Sequence, residues 1–473
     1  MAFIGNMKLW EVEYLFIKED GDLSLYRLEA KNKYFPIKIV GNILEKIHSK
    51  VIVGYDRSGK TIVFYVEDFP ENEEDFKQDE YHFSVTEYII LNNRQSSICG
   101  ISFYGPEINC MYPPYNTIEK SMRSDDNQWE FTLKKFSELN TKKTTFKVDN
   151  QTVEVFFGME ITKAYNPTKQ PIMINSFLRF KFEETNDYRM IQKLCRFGKE
   201  FLQFLWYRRN IHFNKIEMKG IIYKKKSGKI GEFRFEKSNY PIETFPLEKN
   251  RCISIKEFEG HEGEILQEIA DGNLYNIHIS ESYQDSHLIT EGKFVLITSA
   301  FEWTYKRIYS NQNMQSEERK QANEAAINEL EKLKKNSMGR EKKWYKKFIN
   351  EIKSDHQESL QSKIERVGKD YENVLGRYCE GMALRLKTNN FDFVEIGEEI
   401  AHQRNNFAHG NIDKEFKEEA LPAVIILEYM VYCMQLRSFG FSDEQIISSI
   451  NQLFNPVLLS EYDFSDTKRV EED

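Results

Sequence analysis

Arg404, Asn405 and His409 have the side-chain types needed to act together on a phosphodiester. Histidine titrates near neutrality and can take the proton from an attacking hydroxyl. Arginine offers a permanently charged planar fork to a phosphate on which charge builds. Asn405 can donate to a phosphate oxygen or orient the histidine. Such chemistry calls for no metal and no cofactor. The spacing alone decides little: with nine His in the chain, an Arg and a following His with four to six residues between them are expected on the order of once by chance.

The surrounding helix supplies the context. The spacing of Phe393, Ile396, Ile400 and Phe407 predicts a helix from Phe393 to Ala408 with one apolar stripe, and position 404 falls on that stripe. A charge facing a bundle core is costly unless it is paired, lines a cleft or meets a second subunit. His402, Asn405 and His409 share the adjoining face. Five positions turn an ideal helix by about 140°, so Arg404 and His409 would diverge on an unbroken one. Gly410 ends the helix, which leaves His409 at a frayed terminus where it can turn back toward Arg404 or across to a partner subunit. The competing reading is an Arg and a His that only cap and pair within a bundle. His402 is a supporting candidate, against the plain reading of a surface histidine. Glu302, in Ala-Phe-Glu-Trp, is the carboxylate suggested to pair with Arg404.

Other segments carry weaker chemistry. Lys332–Lys347 is densely basic, and Lys342, Lys343, Lys346 and Lys347 surround Trp344 and Tyr345. Cations there could follow an RNA backbone while Trp344 stacks on a base. The alternative is a solvated helix with its aromatics tucked into the bundle. Gly54–Thr61 matches the written phosphate-loop pattern in full, but Thr-Ile-Val-Phe-Tyr-Val follows where a helix is required. Strand, Asp-Arg-Ser-Gly, strand is a hairpin. The six cysteines lie far apart, without zinc spacing, and read as reduced and mostly buried. No nucleophile elbow and no His-Glu-x-x-His motif occurs.

At 473 residues the chain is too long for one core. Hydrophobic residues make up 40%, charged residues 30% and aromatics 14%, the balance of a globular protein with ample core material. A net charge of -9 argues against broad polyanion binding and leaves room for a local basic patch. With no signal-peptide pattern and no membrane-length apolar run, a cytoplasmic protein is expected.

Residues 1–300 read as short β-branched and aromatic strands, among them Lys8–Lys18, Lys38–Val40, Thr61–Glu67, His82–Leu91 and Lys293–Ile297, interrupted by one helix at Tyr188–Arg209. This half is expected to be β-rich and antiparallel, with a further division near residue 155. Residues 301–456 switch to a helical period. Leu360–Met382 reads as one long helix, and Leu421–Phe439 as the buried centre of a bundle. Ser442 and Gln445 form a capping box for a last helix, and 457–473 is an acidic tail. The fold class is α+β.

The Arg-Asn-Asn-Phe-Ala-His-Gly string at a helix end, followed by a long apolar helix near the C-terminus, resembles the HEPN ribonuclease superfamily. Within it the string is similar to the ApeA-like branch of bacterial antiphage, abortive-infection proteins, which often join a β-rich N-terminal domain to the helical one. Gly100-Ile-Ser-Phe-Tyr-Gly adds a loose likeness in the N-terminal half. The resemblance implies a metal-independent endoribonuclease whose site is Arg404, Asn405 and His409. It further implies a homodimer or higher oligomer forming a composite site, 2′,3′-cyclic phosphate products, an RNA target such as tRNA, and a phage-derived trigger sensed by the N-terminal region. A catalytically silent RNA-binding or dimerisation module is the reading from a different class.

Overall fold

The computed structural model describes residues 2–9, 12–28, 51–66, 80–92, 97–122, 129–163, 170, 172–223, 226–236, 251–286, 288–309, 317–354, 358–388, 391–408 and 420–454. The chain divides into two compact units, Met1–Leu274 with Ser280–Tyr283, and Tyr275–Ile279 with Gln284–Asp473. The expected strand Lys38–Val40 and the acidic tail 457–473 lie outside the described residues.

The first unit is built on antiparallel strands: β1 (Phe3–Leu9), β2 (Val12–Glu19), β3 (Asp22–Arg27), β4 (Val51–Asp56), β5 (Thr61–Val66), β6 (Glu80–Leu91) and β7 (Ile98–Tyr104). They are followed by β8 (Ile118–Met122), β9 (Trp129–Leu133), β10 (Thr144–Val148), β11 (Gln151–Lys163), β12 (Ile172–Thr185), β13 (Lys215–Tyr223) and β14 (Lys226–Phe235). Twelve strands form one sheet in the order β10-β11-β12-β7-β13-β14-β6-β3-β2-β1-β4-β5, and β5 also pairs with β6. That last pairing closes β6, β3, β2, β1, β4 and β5 into a barrel. Alternation in β2 sends Tyr14, Phe16 and Lys18 to the buried face. The Lys18 charge is compensated by Glu236 at 2.6 Å and lies over the Tyr88 ring. The Lys8–Lys18 run is two strands rather than one, since β1 and β2 pair as a hairpin. At residue 155, where a division was expected, β11 runs unbroken inside the same sheet.

Helices of this unit are α1 (Pro106–Met111), α2 (Tyr188–Trp206), α3 (Ile255–Phe258) and α4 (Glu262–Ala270). Asp187 caps α2 by accepting from the backbone N–H of Arg189 and Met190, and Tyr207 ends it in the left-handed region at φ 51°. Phe201 of α2 and Phe258 of α3 close on Phe157 of β11. Arg208 and Glu107 form a buried ion pair at 2.9 Å, and Glu107 also accepts from the His212 backbone.

The remaining helices are α5 (Tyr283–Ser286), α6 (Glu291–Tyr309), α7 (Glu317–Asn336), α8 (Gly339–Ser354), α9 (Leu360–Asp370), α10 (Glu372–Leu386), α11 (Phe393–Ala408), α12 (Leu421–Ser438) and α13 (Asp443–Phe454). Lys293–Ile297, expected as a strand, is the start of α6. Phe294, Ile297, Thr298 and Phe301 are buried at helical spacing, a pattern that a five-residue window does not reveal. The expected long helix Leu360–Met382 is two helices. Tyr371 leaves the helical region at φ -115° and ψ 23°, ending α9 and opening α10.

At the centre of this unit lies α12, buried almost all round from Pro422 to Leu436. Lys293 of α6 reaches Glu428 of α12 at 3.7 Å and donates to the Ser286 carbonyl. Ser442 and Gln445 form the reciprocal capping box ahead of α13. The crossing of α9 and α11 sets the position of Arg404. It is close because Gly368 leaves room for the Phe393 ring, while Gly397 approaches Gln361 so nearly that a Cβ would stand 3.1 Å from it. Asp392 caps α11, accepting from the backbone N–H of Val394 and Glu395.

Candidate active site

Four helical turns separate the Asp392 cap from Ala408, and α11 buries Ile396 and Ile400 along the way. The next buried position is Gln403, at 1% exposure, and its amide donates to Glu399. Arg404 therefore does not lie on the apolar stripe; its side chain is 47% exposed. After Ile400, steps of three and of four both satisfy a helical period, and the uncharged residue takes the inward place. His402 and Asn405 are exposed with it. His409 and the Phe407 side chain lie outside the described residues.

Arg404 has a carboxylate beside it. Its Nη2 stands 3.5 Å from Oε2 of Glu302, on α6. The other oxygen of Glu302 lies 3.7 Å from Nζ of Lys363, on α9. One carboxylate thus bridges cations from two other helices. Next along α6, the Tyr305 hydroxyl donates to Glu358 and accepts from Arg366 at 3.1 Å. Burial and the Glu358 carboxylate push that hydroxyl up to about 12, so it stays protonated. Tyr309 stacks on Tyr305 at 4.5 Å, lies under the Arg366 guanidinium and donates to Asp370. Lys363, Arg366 and this tyrosine pair were not singled out from the sequence. Their signal is faint: Lys363, Arg366 and Asp370 share one face of α9, as Glu302, Tyr305 and Tyr309 share one face of α6.

The basic segment spans the end of α7, with Lys332, Lys334 and Lys335, and the first half of α8, whose exposed side chains include Lys342, Lys343, Lys346 and Lys347. Tyr345 is half-buried, while two other aromatics of α8 face outward. Trp344 is 54% exposed and Phe348 43%, their rings 6.0 Å apart, with Lys347 over Trp344 at 5.5 Å. Only Ile349 of α8 is fully buried among its hydrophobic side chains so described.

Gly54–Thr61 is a hairpin, as its sequence suggests. β4 and β5 pair through Tyr55 and Thr61, and Asp56 accepts from Ser58 and from the Lys60 backbone. A strand rather than a helix follows the lysine, so no helix N-terminus presents its amides to a phosphate. All six cysteines are free thiols; Cys195, Cys379 and Cys433 are buried, Cys99 and Cys252 partly so, and Cys110 is exposed.

Residues 295–445, from the second turn of α6 into α13, match the family model described as Apea-like HEPN. The helical unit carries an Apea-like HEPN domain. The matched span contains Glu302, Lys363, Arg404 and the whole of α8. No curated protein and no solved structure matches the chain. Among the described residues, no helix is long and apolar enough to cross a membrane.

Proposed function

We propose that the Apea-like HEPN domain is a metal-independent endoribonuclease of antiphage, abortive-infection defence. The observation that carries this reading is the exposure of Arg404 and Asn405 near the C-terminal end of α11, inside the matched span, five and four positions before His409. HEPN domains are generally nucleases, and this cation stands where a phosphate can reach it. In the reaction His409 takes the proton from a ribose 2′-hydroxyl, whose oxygen attacks the adjacent phosphorus. Arg404 neutralises the charge that builds on the phosphoryl oxygens, and the 5′-oxygen leaves as its bond to phosphorus breaks, taking a proton from solvent water. The products are a 2′,3′-cyclic phosphate and a 5′-hydroxyl end. Two α11 helices facing each other across a homodimer would form one composite site from two motifs. Exposed Trp344 and the lysines of α8 would hold the RNA strand, tRNA being the target suggested by family analogy. The β-rich unit would sense a phage-derived trigger.

The test is cleavage of an RNA pool by the purified full chain, by R404A and by H409A, with and without EDTA, with the 5′-hydroxyl ends mapped. Wild-type cleavage that survives EDTA and is lost in both variants is expected. Equal cleavage by all three proteins would sink the reading. RNA binding without cleavage by wild type would instead identify a silent binding or dimerisation module.

A further inference from the structure

Glu302 holds a place that suits a phosphate. Its two oxygens face Arg404 of α11 at 3.5 Å and Lys363 of α9 at 3.7 Å. Both separations exceed the 2.7–2.9 Å of a tight charge-assisted bond. A single carboxylate is stretched between two cations and closes fully on neither. A phosphodiester offers the same forked pair of charged acceptors, on a larger centre. We infer that Glu302 is a built-in stand-in for RNA phosphate, and that Lys363 is the second cation of a phosphate subsite which RNA occupies by taking Arg404 and Lys363 from Glu302.

Lys363 is prepared for that task. Its side chain is 20% exposed, and its Nζ lies 5.7 Å from the centre of the Tyr305 ring. Tyr305 is itself fixed by Glu358, Arg366 and the stacked Tyr309. The lysine ammonium therefore sits over a fixed ring, and little further ordering is needed when a phosphate arrives. Arg366 differs, because it has its own carboxylate in Glu358 at 3.6 Å and packs over Tyr309; it is scaffold. Glu302, with its side chain 33% exposed, is open enough to give way. Removing its charge should ease RNA entry, whereas removing the charge of Lys363 should weaken RNA binding without touching the proton transfer at His409.

The inference rests on the ribonuclease reading, so binding and cleavage are measured separately. Binding of a short, fully 2′-O-methylated oligonucleotide, which lacks the attacking hydroxyl, is followed by anisotropy on the full chain between about 50 and 200 mM salt. E302Q is expected to bind about two- to fivefold tighter. K363M is expected to bind more weakly, its plot of log K against log salt shallower by roughly 0.7, the effect of one phosphate contact on a single strand. K363R should restore the slope. In cleavage, K363M should raise KM and leave kcat near wild type. An unchanged salt slope in K363M, or weaker binding in E302Q, overturns the inference. R404A is run alongside. If R404A loses cleavage while K363M keeps the wild-type slope, the subsite fails and the ribonuclease reading stands. If R404A cleaves like wild type, the reading beneath the inference fails, whatever the slopes.

Discussion

Gln403 and Arg404 are adjacent in the chain and turn opposite ways: Gln403 is buried at 1% exposure, and the Arg404 side chain is 47% exposed beside Glu302. The two positions therefore separate stability from chemistry. R404A should reduce RNA cleavage on the order of 100-fold or more, the scale of losing one fixed transition-state charge. Its stability should stay within about 0.5 kcal/mol of wild type, as for most exposed substitutions. Q403A should do the reverse, destabilising by roughly 1–3 kcal/mol through a lost buried hydrogen bond and a void. Thermal melting and mapped 5′-hydroxyl ends on both variants decide it; an R404A protein that melts early and still cuts would contradict the assignment.

The same pair shows how far the site was legible. The start and course of α11 followed from Phe393, Ile396 and Ile400, but the phase beyond Ile400 did not, since a step of three or of four fits equally. The break at Tyr371 was hidden for a related reason: Val367, Tyr371 and Val374 continue one apolar spacing across it, and the turn costs no buried position. Glu302 and Arg404 lie 102 positions apart, so their meeting depends on how α6, α9 and α11 pack. The α9–α11 crossing is close at Gly368 and Gly397, two residues with no side chain to read. Trp344 was visible as a residue type, but composition does not say which way it points. In the β-rich half most strands followed from alternation, but β3, β8 and β9 did not, and Lys293–Ile297 looked like a strand and is helical. Closure through β5 and β6 was not legible, because register is a property of pairs.

Gly368 gives a structural prediction with a functional consequence. A Cβ there would enter the ring of Phe393, at the first turn of α11. G368A should destabilise the protein by about 1–3 kcal/mol, the usual range for overpacking. Because α11 carries Arg404, the displaced helix should also lose cleavage at temperatures where the protein remains folded. Circular dichroism melting and a cleavage assay well below the transition test both parts. An unchanged melting curve would mean that the α9–α11 crossing is looser than described.

Exposed aromatics on a basic helix should contribute to RNA binding and little to folding. Trp344 and Phe348 are 54% and 43% exposed. W344A should weaken binding of single-stranded RNA by about 1–3 kcal/mol, the range for one base stacked on an aromatic ring. The salt dependence should not change, since no charge is removed. In K346A the opposite is expected, a shallower salt slope with the stacking intact. Binding titrations at several salt concentrations separate the two, and W344A binding as well as wild type would remove α8 from the RNA path.

Glu262 carries a pH dependence that is independent of the site. It is fully buried at the start of α4, with Oε2 accepting from the Gly260 backbone and Oε1 lacking a hydrogen-bond partner. Burial pushes its carboxyl up from 4.5 to about 7. A folded-state value above the unfolded one means that the folded protein holds the proton more tightly, so stability falls as the proton is lost. The contribution is fully present below the unfolded value of 4.5 and is lost as pH rises toward about 7. With each unit worth about 1.4 kcal/mol, the loss is of the order of 3 kcal/mol. E262Q, neutral at every pH, should be more stable than wild type at pH 8 and should flatten this part of the profile. Urea unfolding of both proteins from pH 5 to pH 8 measures the difference directly. If the gap between them does not widen with pH across that window, the carboxyl is not buried in the way described.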